Sequence, residues 1–413
     1  MGERRVVVTG LGAVTPLGAS VARFWDGLIA SRSGIRRVAR FDPTPFDVRI
    51  GGECLDFDPG AFMDHRTAKR MDRFAQFALA AAKMAIAESG LTNGDFEPAR
   101  AGVILGSGIG GLMELEEQHK RLLAKGPGRV SAFTIPKLMA NAGSGHISIE
   151  FNFQGVNTAV ATACASAGHA MGDAFAAIRE NRADIMLTGG AEAALTPLGL
   201  AAFTAMKALS ARNDEPERAS RPFDQDRDGF VLSEGAGVLL FEELEHARRR
   251  GARIYAEVVG FGATADASDM VQPDPQGQGA ARAMAAALAS ARLNPDDIDY
   301  INAHGTATPL GDIAEVKAIH DVFGPAVRRL AVSSTKSAVG HTLGASGGIE
   351  AIVCLLAITH NTLPPTLNHE QTDPQCAGLD FVPNVARDAR VRTAMNNSFG
   401  FGGHNACVIF RKL

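Results

Sequence analysis

The chain has 413 residues, of which 46% are hydrophobic and 21% charged, and its formal net charge is −4. This length exceeds that of a typical single core and indicates two domains or a duplicated one. The slightly acidic balance argues against a nucleic-acid-binding protein, for which a basic excess is expected.

The five cysteines are odd in number and show no metal-binding spacing, which argues against a disulfide scaffold and against structural zinc. The first residues, MGERRVVVTG, enter a strand without the hydrophobic region of a signal peptide. No apolar run reaches membrane-spanning length, and residues 349–358 are predicted to form a buried helix. We therefore expect a cytoplasmic protein that is not bound to a membrane.

In chain order, the first half predicts strands and helices in alternation. A strand covers residues 5–12, a helix 75–89, a strand 101–106, a strand 157–163 and a last β-rich run 237–241. The second half repeats this order at residues 256–262, 279–292, 298–303, 329–335 and 406–410. Alternation of this kind is typical of α/β proteins with buried sheets.

The repeat predicts two related halves, residues 1–251 and 252–413, that divide near Gly251. Two halves of this kind are expected to pack with approximate two-fold symmetry and to contribute jointly to one active site. The first half is longer, and we assign its surplus to residues 41–70, 114–146 and 196–230, as insertions that carry dimer contacts, lids or substrate channels.

Cys164 follows the predicted strand 157–163 and precedes a small-residue turn and a helix that extends to about Arg179. A cysteine at a helix N-terminus faces free backbone N–H groups and the positive end of the helix dipole, so we expect its thiolate to be favoured. Only small neighbours allow a substrate carbonyl to approach the sulfur. The alternative for this segment alone is a buried structural cysteine.

Two histidines of the second half lie in loops that follow predicted strands. His304 stands in NAHGTATPLGD, directly after a buried strand, where α/β proteins usually bind ligands. His341 stands in KSAVGHTLGASGG, in the loop that matches the Cys164 turn of the first half. Each histidine alone has a structural or surface alternative, but together with Cys164 they predict a Cys–His–His site.

Lys336, in the same loop as His341, needs a carboxylate partner if it is buried, and Glu315 is the partner we expect. The segment NNSFGFGGHN, residues 396–405, is a glycine-rich turn before the last strand. Its N–H groups are candidates for half of an oxyanion hole, with the Cys164 N–H as the other half, and an ordinary tight turn is the alternative. The motifs of phosphate-binding loops and dinucleotide fingerprints are absent from the sequence.

Four segments, TACASAGHA, NAHGTATPLGD, KSAVGHTLGASGG and NSFGFGGHN, together resemble the β-ketoacyl-acyl-carrier-protein synthases of the thiolase superfamily, and most of all the type II enzymes of bacterial fatty-acid synthesis. The resemblance covers essentially the whole chain. It implies an α/β thiolase fold, a duplicated five-layer αβαβα arrangement, and a homodimer.

The resemblance also implies a role for each matching residue. Cys164 would accept the acyl chain, and His304 and His341 would promote decarboxylation of a malonyl thioester without any cofactor. Lys336 and Glu315 would form a supporting ion pair, and Phe401 a gate beside the cysteine. The positions that would contact the pantetheine arm or the acyl chain are Thr306, Thr308, Ile109, Phe203 and Phe399. The positions that match a monovalent-cation site of some members are Asn302, Glu350, Asn396 and Asn397.

The partner implied by the resemblance is an acidic acyl carrier protein, which delivers both acyl and malonyl groups. Basic side chains are candidates for its docking patch, with an ordinary solvated surface as the alternative for each. They are Arg66, Lys69, Arg70, Lys207, Arg212 and residues 125–129.

Three alternative functions are open at this point. A type I elongation synthase or a polyketide ketosynthase subunit would share the fold and the site. A catalytically silent chain-length-factor partner would lack the nucleophile, and Cys164 argues against it. A degradative thiolase would need a second cysteine in the glycine-rich loop, whereas Cys407 belongs to the predicted last strand.

Overall fold

The computed structural model describes residues 4–413, and these form strands and helices in alternation. The strands are β1 (Val6–Val14), β2 (Ile35–Arg37), β3 (Ile50–Gly52), β4 (Ala101–Gly106), β5 (Asn157–Val160), β6 (Ile185–Glu192), β7 (Gly235–Glu243), β8 (Ala256–Ala265), β9 (Tyr300–Asn302), β10 (Ala331–Ser333), β11 (Thr362–Leu363), β12 (Arg387–Asp388), β13 (Thr393–Gly400) and β14 (His404–Arg411). The helices are α1 (Val21–Ile29), α2 (His65–Lys69), α3 (Arg73–Ser89), α4 (Leu112–Lys125), α5 (Thr134–Leu138), α6 (Ala142–Phe151), α7 (Ser166–Arg179), α8 (Pro197–Ala205), α9 (Leu244–Arg249), α10 (Gln278–Ala291), α11 (Pro309–Phe323), α12 (Lys336–Val339) and α13 (Ser346–His360).

The strand order shows the internal duplication directly. The first half contributes the order β5-β4-β6-β7-β1, and the second half contributes β8-β14-β13-β9-β10. The two sets meet where β1 and β8 pair in antiparallel fashion over Val6–Val8 and Ala256–Val258. Each set is mixed, because β4 is parallel to β5 and β6 while β6 is antiparallel to β7, and the second half repeats this pattern.

The two helices that follow the matching turns, α7 and α13, form the middle layer of the molecule. Helix α7 contacts β4 and β6 of its own half and β8, β13 and β14 of the other, and α13 contacts β6 and β7 as well as β9 and β13. Helices α3 and α10 cover the outer faces of the two sheets. The result is the predicted five-layer αβαβα arrangement.

Matching glycines allow each outer helix to approach its sheet closely. A Cβ on Gly12 of β1 would lie 1.9 Å from the carbonyl oxygen of Ala81 in α3. In the second half, a Cβ on Gly262 of β8 would lie 2.1 Å from the carbonyl oxygen of Ala283 in α10. The GxG pattern at the start of each sequence repeat therefore has one physical cause, which is helix–strand contact that leaves no room for a side chain.

The predicted order of strands and helices agrees with the structure, with shifts of a few residues at element ends. Gly251, the predicted division, lies between α9 and β8 with a φ of +68°. Because each side of this residue supplies one set of five strands, we propose residues 1–251 and 252–413 as the two halves. The surplus of the first half includes α2, α4, α5 and α8.

One helical stretch of the described residues, Leu343–His360, is long and apolar enough to cross a membrane by composition. The predicted helix at 349–358 belongs to it. This stretch is 89% buried inside the molecule, where it includes α13 of the middle layer. Its hydrophobicity is therefore that of a core helix between two sheets.

Candidate active site

Two matching turns carry the central residues of the site. Residues Ala163–Ala165 form a single 3₁₀ turn before α7, and Leu343–Ala345 form the same turn before α13. The residue that opens each turn, Ala163 or Leu343, has a φ of +49°. In this register Gly344, and not His341, is the counterpart of Cys164. The predicted equivalence therefore holds for the loops, while His341 stands three residues earlier within its loop.

Cys164, His304 and His341 converge at one point. The Nε2 atom of His341 lies 3.0 Å from the sulfur of Cys164. One ligating atom from each of the three residues lies within 4.8 Å of the others. The two imidazole rings are nearly perpendicular, at 85°, with centroids 5.4 Å apart. The structure thus brings together the three residues that the sequence predicted.

These residues line a pocket of about 380 Å³ that opens between the two halves. Its wall also includes Phe399 and Phe401, Met206 and Lys207, and the loop that begins at Thr306. The wall is mostly apolar, with the thiol and the imidazoles among its few polar groups. Such a pocket suits a narrow chain with a reactive carbonyl at its end.

Both imidazoles are held in the neutral form. Burial, followed by the nearby Lys336 ammonium, places the pKa of His304 and of His341 well below the ordinary value of 6.5. His341 Nδ1 lies 2.9 Å from the Ser346 hydroxyl, which orients the ring toward the sulfur. Among the described residues His304 Nδ1 has no hydrogen-bond partner. His341 thus presents its Nε2 to the thiol, and His304 stands beside it with its buried Nδ1 unbonded among these residues.

The resting sulfur is a thiol rather than the thiolate expected from the helix N-terminus. Burial raises the pKa of Cys164 to about 12, and the Lys336 charge and the Phe401 N–H offset this only in part. The expectation was wrong about the resting state because desolvation of the sulfur outweighs the favourable dipoles. The sulfur must therefore lose its proton as it reacts.

Lys336 is buried and pairs with Glu350 of α13, so the predicted pairing with Glu315 is wrong. The Glu315 carboxylate instead accepts hydrogen bonds from the backbone N–H groups of His304 and Gly305, at 2.9 and 2.7 Å. Glu315 thus fixes the turn that presents His304. The sequence alone did not distinguish Glu350 from Glu315 as the partner of Lys336, because each glutamate lies on a helix that follows one of the two histidine loops.

Two N–H groups converge beside Cys164. The Phe401 N–H donates to the Cys164 sulfur. A Cβ on Gly400 would lie 3.0 Å from the backbone nitrogen of Cys164, so the glycine-rich loop passes directly over the turn. The backbone therefore places both predicted oxyanion-hole groups, the N–H of Cys164 and that of Phe401, next to the sulfur.

The five predicted substrate positions divide into two groups. Thr306, Thr308 and Phe399 line the pocket, and the two threonine hydroxyls lie 3.0 Å apart. Ile109 and Phe203 do not line it. Ile109 is 42% exposed in the single chain, and Phe203 packs in the apolar cluster that contains Cys164. Their predicted contact with the acyl chain therefore stays a prediction.

The four residues predicted for a cation site share one property. In each of them one side-chain oxygen is buried and has no hydrogen-bond partner among the described residues. The amide nitrogens of the three asparagines and the other carboxylate oxygen of Glu350 do form hydrogen bonds. Asn302 and Asn396 are also direct neighbours on parallel strands. Unsatisfied amide and carboxylate oxygens are the donors that a hard monovalent cation prefers. Asn302, Glu350 and Asn396 therefore fit such an ion. Asn397 does not join them, because it follows Asn396 in β13 and its side chain lies on the opposite face, where it donates to Glu315.

The predicted docking residues lie on the surface, although their positions differ. Lys207 is exposed and lines the mouth of the pocket. Arg66 and Lys69 are exposed on α2, and Arg70 follows with its guanidinium over the Phe133 ring. Arg212 is half-buried near Asp228, and the 125–129 stretch is mostly exposed at the end of α4.

Sequence reasoning missed three residues of the site. Phe230 packs edge-on against His341, with ring centroids 5.3 Å apart. Ser346 contacts the other side of that imidazole. Glu192 accepts hydrogen bonds beneath both turns. The only sequence signal for Glu192 was an acidic residue at the end of an otherwise apolar strand.

The thiol, the paired neutral histidines and the thiolase-type duplication define a thiol-dependent condensing enzyme of the ketosynthase class. The family model "Beta-ketoacyl synthase, N-terminal domain" matches residues 3–247, and "Beta-ketoacyl synthase, C-terminal domain" matches residues 255–370. The chain belongs to the beta-ketoacyl synthase family.

Similar proteins cover the full length of the chain. The 3-oxoacyl-[acyl-carrier-protein] synthase 2 of Synechocystis is 49% identical over 99% of this chain and 98% of its own. The protein of the same name from Coxiella burnetii is 48% identical over the whole of both chains. Among solved structures, the ishigamide ketosynthase/chain length factor has a TM-score of 0.94 at 39% identity, over all of both chains. A type II polyketide acyl-carrier protein in complex with its ketosynthase gives 0.93 at 33%, with the same coverage.

Proposed function

We propose that this enzyme is a 3-oxoacyl-[acyl-carrier-protein] synthase of fatty-acid biosynthesis, which lengthens an acyl chain by two carbons. The observation that carries the proposal is the approach of His341 Nε2 to the Cys164 sulfur at 3.0 Å, with His304 beside them on the floor of an apolar pocket. The full-length relatives at 48–49% identity bear the name of this activity. They support it over the polyketide alternatives, since the polyketide structures are 33–39% identical.

In the first step Cys164 accepts the acyl chain. Its sulfur attacks the carbonyl carbon of an acyl thioester, a new carbon–sulfur bond forms, and the bond to the carrier's sulfur breaks. The thiol proton leaves with the carrier thiol. The N–H groups of Cys164 and Phe401 hold the oxyanion, and loss of one such donor typically costs about a hundredfold or more in rate.

In the second step a malonyl thioester occupies the same pocket. Its bond to the carboxylate breaks, carbon dioxide leaves, and the electron pair forms an enolate. Neutral His304 and His341 each donate a ring N–H to the enolate oxygen. The enolate carbon then attacks the acyl carbonyl, the bond to Cys164 breaks, and the sulfur regains a proton. The product is a 3-oxoacyl thioester.

An acyl carrier protein is the proposed partner for both steps. The solved ketosynthase complex with an acyl-carrier protein supports this. The pocket mouth carries Lys207, and an exposed cation there suits an acidic partner. Arg66, Lys69 and Arg70 are proposed as further parts of the docking patch. We also propose a cytoplasmic location.

A homodimer is proposed from the free edge of the sheet. Strand β5 is one of the two edge strands, and the Val156 and Val160 carbonyls accept from Val103 of β4 and from Ser107 directly after it. The backbone groups of Asn157 and Ala159 therefore point to the open edge, which is a template for pairing with a second copy. Ile149 of the adjacent α6 is 80% exposed. Sedimentation equilibrium is expected to give twice 43.3 kDa, and a monomer at all concentrations would overturn the proposal.

Asn302, Glu350 and Asn396 are proposed to hold a monovalent cation, without the side chain of Asn397, which lies on the other face of β13. The buried oxygens would be the ligands of the ion, and the ion would supply a fixed positive charge next to them. The chain's own part is to keep Glu350 oriented toward Lys336.

The proposed function is tested by a reconstituted elongation assay with acyl- and malonyl-carrier protein. The parent enzyme is expected to release carbon dioxide and to form a 3-oxoacyl product two carbons longer. Cys164→Ala is expected to abolish the product, whereas Cys407→Ala, in the buried strand β14, is expected to retain it. Equal loss in both variants, or no product from the parent, would contradict the proposal.

A further inference from the structure

Glu192 is the last residue of β6, fully buried, and it has no cationic partner among the ion pairs of the described residues. Its carboxylate accepts four hydrogen bonds instead. Three come from the loop after β4: the Gly108 N–H at 2.6 Å, the Ser107 hydroxyl at 3.1 Å and the Ile109 N–H at 3.3 Å. The fourth comes from the other half of the molecule, the Gly344 N–H at 3.2 Å.

This carboxylate touches the surroundings of both turns. Gly344 is the counterpart of Cys164 and lies three residues after His341. A Cβ on Gly344 would lie 2.3 Å from the nitrogen of Gly108 and 2.7 Å from Glu192 Oε2. On the other side, a Cβ on Gly108 would lie 3.3 Å from the carbonyl oxygen of Ala163. Glu192 therefore contacts Gly108, and Gly108 in turn contacts the turn that carries Cys164.

We infer that Glu192 is a positioning residue, which uses one carboxylate to fix the turn that carries Cys164 against the turn that follows His341. The inference rests on the proposed function, because it explains how the 3.0 Å contact between thiol and imidazole is kept across two halves of the chain. The same carboxylate also fixes the backbone of Ile109, a predicted acyl-pocket position.

The ionised form of Glu192 has a second effect, which gives the inference an electrostatic readout. Burial raises the pKa of Glu192 to about 7, so the carboxylate is charged at the alkaline pH where Cys164 titrates. Glu192 is among the groups that raise the pKa of Cys164. Removal of the charge at constant size should therefore make the thiolate easier to form. A shorter side chain that keeps the charge should leave the pKa of the Cys164 thiol unchanged. It should, however, lose the hydrogen bonds that hold the two turns together.

Two variants separate these effects. Glu192→Gln keeps the size and removes the charge. Its amide N–H₂ replaces one acceptor oxygen, so the N–H groups that this oxygen bound lose their acceptor. Glu192→Asp keeps the charge but is one methylene shorter. Glu53→Gln is the matched control, since Glu53 is also buried and accepts backbone N–H groups, from Ala39 and Arg40, outside the pocket.

The experiment measures kcat and KM for elongation, and the pH dependence of Cys164 alkylation by iodoacetamide. Both Glu192 variants are expected to lower kcat by about a hundredfold, the cost of misplacing reacting groups by about 1 Å, with KM for the carrier substrates unchanged. Glu192→Gln alone is expected to move the alkylation profile to lower pH. Glu53→Gln is expected to change neither quantity.

Parent-like kcat and alkylation in both Glu192 variants would overturn the inference, as would an effect that Glu53→Gln reproduces. If circular dichroism shows that Glu192→Gln does not fold, Ser107→Ala removes a single donor and is expected to slow elongation several-fold, and an unchanged rate would overturn the inference. Acylation of the parent enzyme at Cys164 is measured in parallel. An unacylated parent refutes the proposed function, whereas an acylated parent with unaffected variants refutes only the positioning role.

Discussion

At the scale of single residues, the site depends on charges that are buried in pairs. Lys336 is 1% exposed and has Glu350 as its partner. Removal of one member of such a pair leaves the other uncompensated in a low-dielectric environment. Burial and then the charge of the same lysine lower the pKa of His304 and His341, so its position affects both stability and the protonation of the imidazoles.

We expect Glu350→Gln to lower the free energy of unfolding by about 3–5 kcal/mol, because Lys336 then remains buried without a counter-charge. Urea denaturation followed by circular dichroism measures this. Glu180→Gln is the matched control, since Glu180 pairs with Arg182 on the surface, and its cost is expected to be at most about 1 kcal/mol. An equal loss of unfolding free energy in the two variants would contradict the claim that Glu350 compensates the buried charge of Lys336.

The pH dependence of decarboxylation tests the neutral histidines. Both have a depressed pKa in the folded enzyme, so they stay neutral as the pH falls through 6.5, the ordinary value. Burial raises the pKa of Glu192 and of Asp312 to about 7, so these two groups titrate in the same range. In a variant that carries Glu192→Gln and Asp312→Asn, carbon dioxide release from malonyl-carrier protein is therefore expected to show no inflection near pH 6.5. An inflection in that variant, shown by circular dichroism to be folded, would show that one imidazole titrates normally.

The sequence was sufficient to predict the residues whose chemistry is carried by a motif. Cys164, His304 and His341 each stand in a segment of small residues after a strand, and the duplication placed them at neighbouring strand ends. The partner of Lys336 was not predictable in this way, because Glu315 and Glu350 both follow such segments. Only the packing of α13 in the middle layer selects Glu350.

At the scale of elements, the duplication depends on close contact between helix and strand. The glycines of β1 and β8 leave no space for a methyl group against α3 and α10. This contact explains why the GxG pattern occurs in both halves of the sequence. The insertions gave no such signal, so the positions of α4, α5 and α8 had to come from the structure.

Gly12→Ala and Gly262→Ala are expected to destabilise the fold by similar amounts, about 1–3 kcal/mol or more, because each new methyl meets a backbone carbonyl oxygen that cannot move away freely. Gly128→Ala is the control, since nothing lies within 4 Å of its added Cβ. Thermal unfolding compares the three. A parent-like melting temperature for either strand variant would contradict the common packing rule.

At the scale of the whole molecule, one pocket draws its residues from both halves and opens to the surface near Lys207. The thiol comes from the first half, and both histidines from the second. Sequence reasoning predicted this division of labour from the repeat alone. It did not predict which face of the thiol meets the acyl chain, because Ile109 lies beside an insertion and Phe203 lies in one.

Charge reversal tests the docking surface. Lys207→Glu is expected to raise KM several-fold for carrier-protein substrates and to leave KM for short pantetheine thioesters unchanged, because only the protein partner carries an acidic surface that the lysine would attract. Lys412→Glu, an exposed lysine beyond the far end of β14, is the control and is expected to change neither value. Equal changes for both substrate types would contradict the docking assignment.

The central claim is that Cys164 holds the acyl chain covalently while the two histidines generate its attacker. Intact-protein mass spectrometry after incubation with acyl-carrier proteins of graded length tests it most directly. The account predicts one acyl adduct on Cys164, which persists in His304→Ala and disappears from the parent enzyme when malonyl-carrier protein is added. No adduct with any acyl donor, or an adduct that malonyl-carrier protein does not discharge, would contradict it.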